Sequence, residues 1–213
     1  MDTEYTLGRN IEADPKDNEF LLSAALPPIT LPQTGCKYWF NRGALNQGQE
    51  PSCVGHAWHN MLTSSPTRQF GLDPSKIYKD AQKVDRWVGE DYAGTSVRAG
   101  ARVLRESGNL KEYRWAFNLE DTISWLYTTG PVVIGTWWYK DMFYPDKKGF
   151  IHPTGSNAGG HAYILQGVNL GEKKVRMVNS WGENWGQKGR AWISFDNLEK
   201  LISDQGEVCT AIE

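Results

Sequence analysis

The chain has 213 residues, 39% of them hydrophobic and 23% charged, with a formal net charge of −2. That length suits one domain or two fused lobes, and a globule of this size buries roughly 70% of its extended-chain surface without disulfide staples. So small a charge leaves no footprint for nucleic acid or an anionic membrane, and the longest apolar runs, such as 131–135, are far too short to span a bilayer.

Residues 1–35 read as a polar arm, punctuated by Asp14-Pro15 and by Leu26-Pro27-Pro28. The first five residues, Met1-Asp2-Thr3-Glu4-Tyr5, have neither a basic nor an apolar signal region, so no signal peptide is expected. The arm still carries apolar anchors: Tyr5, Leu7, Ile11, Phe20, Leu21, Leu22 and Ile29. Left loose they would expose a costly apolar surface. They are expected to lie buried across the body of the protein as a retained brace; the rival reading is a short propeptide that crosses the cleft and is removed.

Pro51 followed by Ser52 predicts a helix start, with the Ser52 hydroxyl capping the first turn. Val54, Ala57, Trp58 and Met61 recur at i, i+3, i+4 and i+7, an apolar stripe that Pro66 ends. Cys53 then falls in the first turn, where unpaired N–H groups and the positive end of the dipole favour a thiolate. Further helices are predicted over 77–84, 95–107 and 121–129. The second sets Val97, Ala101 and Leu104 on one face and Arg98, Arg102 and Arg105 on a solvated one.

From 131 onward the pattern is strand-like, over 131–135, 161–168, 174–180 and 190–195, the middle pair joined through the turn 169–172. Asn179 shares a strand face with Val175 and Met177, which points it inward. A helical first half and a β second half make an α+β layout of two packed lobes. The two remaining cysteines, Cys36 and Cys209, are expected to be free and buried in a reducing compartment; the lesser alternative is a Cys36–Cys209 bridge between chain ends that lie close together. His56 and His59 lack further ligands, so no metal is expected. The ten tryptophans are scattered and read as core and cleft walls.

Three separated motifs stand in order: Gln47 with Cys53, then Gly159-Gly160-His161-Ala162, then Asn179-Ser180-Trp181-Gly182 running on to Trp185-Gly186. A single cysteine at a helix start is more often a packed small residue, and a single histidine is more often satisfied core. The ordered set reverses that balance. It resembles the papain-like cysteine peptidases of the bacterial or viral type, which lack a long prosegment.

The resemblance implies a two-lobe fold within residues 36–213. Its helical lobe would span roughly 50–130, its antiparallel β lobe roughly 131–213, with the cleft between. It also implies Cys53 as nucleophile, His161 as its acid–base partner, Asn179 as orienter and Gln47 as oxyanion donor. Trp181 would shield the His–Asn bond, and Gly94 and Gly160 would meet the substrate backbone. A peptide or protein substrate is implied, with no cofactor. The departures are Val54 where an aromatic is usual and Glu50 where a disulfide cysteine is usual. Cys53 and His161 also lie closer along the chain than the roughly 130–150 residues usual for the family. Specificity pockets therefore do not carry over. Two other readings stand beside this one: a Cys–His peptidoglycan hydrolase, and a papain-fold structural or assembly protein of a virus particle. A cytoplasmic or virion-associated setting is expected.

Overall fold

The computed structural model describes residues 5–28 and 30–212. In the arm, two short 3-10 turns, Pro15–Glu19 and Leu22–Ala25, precede strand β1 (Cys36–Tyr38). Helices α1 (Cys53–Thr63), α2 (Pro74–Gln82) and α3 (Val97–Glu106) follow, then strand β2 (Glu112–Ala116) and helix α4 (Leu119–Thr128). Strands β3 (Val132–Tyr139), β4 (Asn157–Asn169), β5 (Lys174–Val178) and β6 (Arg190–Ser194) come next, and α5 (Phe195–Ser203) and β7 (Glu207–Ile212) close the chain. The strands form one antiparallel sheet in the order β2-β7-β3-β4-β5-β6, with β1 alongside β4. This is the α+β class expected.

Strand alternation sorts the core onto the two sheet faces. Val133, Ala162, Ile164 and Val178 face Val54, Trp58 and Met61 of α1, so the predicted stripe is buried as drawn. Their neighbours Ile134, Tyr163 and Met177 face the other way, onto Leu126 of α4 and Leu201 of α5. Each such side chain contributes roughly 1.5–3 kcal/mol on burial. Trp58 is fully buried, and its indole N–H donates to the Val97 carbonyl at 3.0 Å, tying α1 to α3. Side chains of Asp73, Ser96, Asn118 and Ser194 accept from the first turns of α2, α3, α4 and α5.

Several expectations are corrected. β1 and β2 lie in the half read as helical, and α5 and β7 were not foreseen; β2 is stabilised by pairing with β7, distant in sequence. Ser52 does not cap α1 through its hydroxyl. Its backbone, at φ −103 and ψ 22, is not extended, and the hydroxyl meets the Glu50 carbonyl and His56 Nδ1 instead. Cys36 is exposed on β1, whereas Cys209 is buried; all three cysteines are free. Arg98 is not solvated: its side chain is 11% exposed and pairs with Asp14 and Asp17 of the arm.

The arm divides into two parts. Downstream, Leu22 is fully buried in the core and Trp115 N–H donates to the Phe20 carbonyl at 2.9 Å. Phe20 itself stays 43% exposed, and Ile29 lies outside the described residues. Upstream, residues 5–10 leave the body and enter the cleft.

Candidate active site

Cys53 opens α1, His161 lies on β4, and Asn179 directly follows β5. His161 Nε2 and Asn179 Oδ1 are 2.7 Å apart, and the same oxygen accepts from Ser180 N–H at 2.8 Å. The Trp181 ring stacks on the imidazole with centroids 4.5 Å apart, while Trp138 meets it edge-on at 4.9 Å. The two indoles fix the ring and exclude water from its bond. Gln47 is nearly buried beside them. Its Oε1 accepts from Ser180 Oγ at 2.6 Å, which turns Nε2 toward the cleft.

The cleft is filled by the chain's own arm. Gly8 and Arg9 N–H groups donate to the Gly160 carbonyl at 3.1 and 3.0 Å. Thr95 N–H donates to the Gly8 carbonyl at 3.0 Å, and Asn10 N–H to the Thr95 carbonyl at 2.9 Å, a parallel bridge centred on Arg9. The Thr6 carbonyl accepts from Gln47 Nε2 at 3.3 Å and from Trp181 Nε1 at 3.1 Å. Tyr5 stacks on Trp181 at 4.8 Å. Gly94, at φ +85, leaves space for this path: a Cβ there would stand 2.4 Å from the Gly8 oxygen. The main-chain pairing expected of Gly94 is thus made by its neighbour Thr95.

With the arm in place Cys53 and His161 are both fully buried. Burial pushes the Cys53 thiol up to about 12, only partly eased by the N–H groups of Ala162, Val54 and Gly8. Burial also pulls His161 down to about 4, against the hydrogen bond that its Nε2 donates to Asn179 Oδ1. The covered pair is therefore neutral, not the thiolate and imidazolium expected from the helix start, because desolvation outweighs the dipole. His161 Nδ1 is buried without a hydrogen-bond partner. His56 is occupied by Ser52. Among the described residues no group of three His, Cys, Asp or Glu could hold a metal, and no helix is long and apolar enough to cross a membrane.

The structure brings together Gln47, Cys53, Gly94, Gly160, His161, Asn179 and Trp181. Sequence reasoning missed Ser180, Thr95, Trp138 and Glu207. Ser180 sat inside a motif already quoted, whereas Glu207 is a single acid with no pattern around it. Two N–H donors converging on one carbonyl oxygen, near a thiol and an oriented imidazole, suit acyl transfer.

The model of the papain family of cysteine proteases matches residues 49–207. Two curated proteins of Caenorhabditis elegans match in part. A cathepsin B-like cysteine proteinase 5 is 33% identical over 64 residues, 29% of this chain and 19% of that protein. A gut-specific cysteine proteinase is 40% identical over 67 residues, 30% of this chain and 20% of that protein. Each match thus spans about a fifth of the curated relative. Xylellain, a cysteine protease from Xylella fastidiosa, has a solved structure similar to this fold with a TM-score of 0.67 at 20% identity, covering 100% of this chain and 99% of that one.

Proposed function

The chain belongs to the papain family of cysteine proteases, and on that premise we propose that it is an endopeptidase that opens peptide bonds through an acyl-thioester on Cys53. The described chain is the closed form, and residues 5–10 must lift before a peptide or protein substrate enters. Lifting lets water reach the pair, which lowers the desolvation penalty on both charged forms. The Cys53 proton then moves to His161.

The thiolate attacks the scissile carbonyl carbon, and the carbonyl electron pair moves onto oxygen. Gln47 Nε2 and the Cys53 N–H hold that oxyanion. As it collapses, the C–N bond breaks and the leaving amine takes the proton from His161. Water, deprotonated by His161, attacks the thioester, releasing the acid and restoring the thiol. Asn179 holds Nε2 and so leaves Nδ1 to carry the proton. Trp181 keeps water from that bond, and Gly160 with the Gly94 turn guides the substrate backbone.

The observation that carries this reading is the Thr6 carbonyl, a peptide oxygen held by Gln47 Nε2 at 3.3 Å and Trp181 Nε1 at 3.1 Å. It supports a site made to grip peptide carbonyls. The test is digestion of a peptide library by the full chain, with the arm displaced by Gly8→Leu, beside the same chain carrying Cys53→Ala. Cleavage should vanish with Cys53→Ala; cleavage that survives it would overturn the assignment.

A further inference from the structure

One cavity lies apart from the cleft. It has a volume of about 190 Å³ and sits between the C-terminal ends of α1 and α4 and the last residues of β7. Its walls include Met61, Pro66, Trp125, Gly130, Pro131 and Ile212. Met61 lies more than two turns beyond Cys53 on α1, about 12 Å along the helix axis. No lining residue belongs to the site around Cys53 and His161.

Trp125 is 5% exposed, and its indole N–H has no hydrogen-bond partner among the described residues. Burying such a donor unpaired is costly. Trp115 and Trp138 share the lack, but both are fully buried in the packed core, whereas Trp125 lines a cavity. Gly130 keeps the space beside that N–H clear. A Cβ there would stand 3.8 Å from Trp125 Nε1 and 3.4 Å from Pro66 Cδ, both residues of the cavity wall. The indole nitrogen therefore faces the gap that Gly130 leaves.

The rest of the wall decides what fits. No charged residue lines the cavity, so an ionised ligand would lose its water and gain no counter-charge. Two of the lining threonines have engaged hydroxyls: Thr210 Oγ1 donates to the Pro131 carbonyl at 3.3 Å, and Thr129 Oγ1 lies 2.9 Å from Thr128 Oγ1. A buried water asks for two to four polar partners, whereas a carbonyl oxygen is satisfied by one donor. The volume exceeds the roughly 150 Å³ of an apolar cavity that takes benzene. Met61 adds a thioether, which favours contact with an aromatic ring.

We propose that this cavity binds a small neutral aromatic molecule bearing one carbonyl oxygen, which accepts from Trp125 Nε1 while the ring packs among Met61, Pro66 and Ile212. The site is separate from the peptidase chemistry, and its test reads binding and not activity.

The test uses the full chain with ¹⁵N-labelled indoles, followed by NMR. Trp125→Phe identifies the Trp125 signal by its loss. The probes are acetophenone and ethylbenzene, of nearly equal size, of which the first alone carries an acceptor. Acetophenone should move the Trp125 indole proton downfield in a saturable way. It should bind about fivefold more tightly than ethylbenzene, the worth of one ordinary hydrogen bond. Competition against a reporter ring, fluorobenzene followed by ¹⁹F NMR, gives the affinities in the variants. Trp125→Phe should bring the two probes to equal affinity. Gly130→Leu serves should Trp125→Phe fail to fold, since a Cβ at 130 meets only ordinary contacts; its longer side chain should fill the cavity and abolish binding of both probes. Equal affinity of the two probes for wild type would overturn the proposal. So would a shift confined to other indoles, binding undiminished in Gly130→Leu, or no saturable shift up to the solubility limit of acetophenone.

Discussion

Replacing Gly8 with leucine should open the cleft without touching any side chain assigned to the chemistry. A Cβ at residue 8 would stand 2.1 Å from the Pro51 carbonyl oxygen and 2.5 Å from its carbon. Those atoms are main chain at the entry to α1, so no rotamer relieves the clash and the arm must lift. Overpacking costs about 1–3 kcal/mol, and a clash against backbone belongs at the upper end. At about 1.4 kcal/mol per factor of ten, the open fraction should rise about a hundredfold. The assay is alkylation of the full chain with iodoacetamide, followed cysteine by cysteine by mass spectrometry. In wild type the exposed Cys36 should react first, with Cys53 and Cys209, each 0% exposed, protected. Gly8→Leu should raise the Cys53 rate by about that hundredfold and leave Cys209 unchanged, which controls for general loosening. Wild-type Cys53 reacting as fast as Cys36, or a Cys53 rate indifferent to Gly8→Leu, would refute the closed-cleft argument.

In the opened chain, Gln47→Ala should lower turnover by about 10²–10³ with little change in KM, because the bond strengthens as the oxyanion forms; undiminished turnover would remove Gln47 from the oxyanion role. The His161 imidazole, followed by NMR in the closed chain, should titrate near 4. Its folded pKa lies below the unfolded value, so the unfolded chain takes up the proton first. The His161 contribution to stability is therefore full above about pH 6.5 and is lost by up to about 3 kcal/mol as pH falls toward 4. An ordinary titration would mean that water reaches the ring. Leu22→Ala should cost about 2–5 kcal/mol in denaturant unfolding without raising peptidase activity, since it loosens the brace and not the strap across the cleft. A parallel gain in activity would mean that the two parts of the arm act as one.

Much of the core was legible because local and global signals agreed. The α1 stripe is a run of side chains that all meet the sheet, and the strands 161–168 and 190–195 are apolar enough to announce themselves. The short strand β2 is different. Tyr113 and Trp115 suggest alternation, but over too few residues to compete with a helical reading, and its pairing partner lies near the far end of the chain. Residues such as Ser180 were hidden in plain view, since a motif names residues but not which atom each one meets. Glu207 was illegible for a stronger reason: its importance comes from the ion pair that it makes with Arg9 at 3.0 Å, and nothing local to either residue points to the other. The charge state of Cys53 was misread because a helix start is visible in sequence, whereas the arm that dries the site is a tertiary fact.

Asn179, Ser180 and Trp181 are consecutive, yet each reaches a different part of the molecule: His161 on β4, Gln47 ahead of α1, and Thr6 in the arm. Inserting or deleting one residue within 178–182 would carry these three side chains away from their separate partners and break all three contacts at once. The turn after Trp185 is tied as well, Gly189 N–H donating to the Trp185 carbonyl at 2.7 Å and Gln187 N–H to the Arg190 carbonyl at 2.8 Å, so the fixed count runs on to the start of β6.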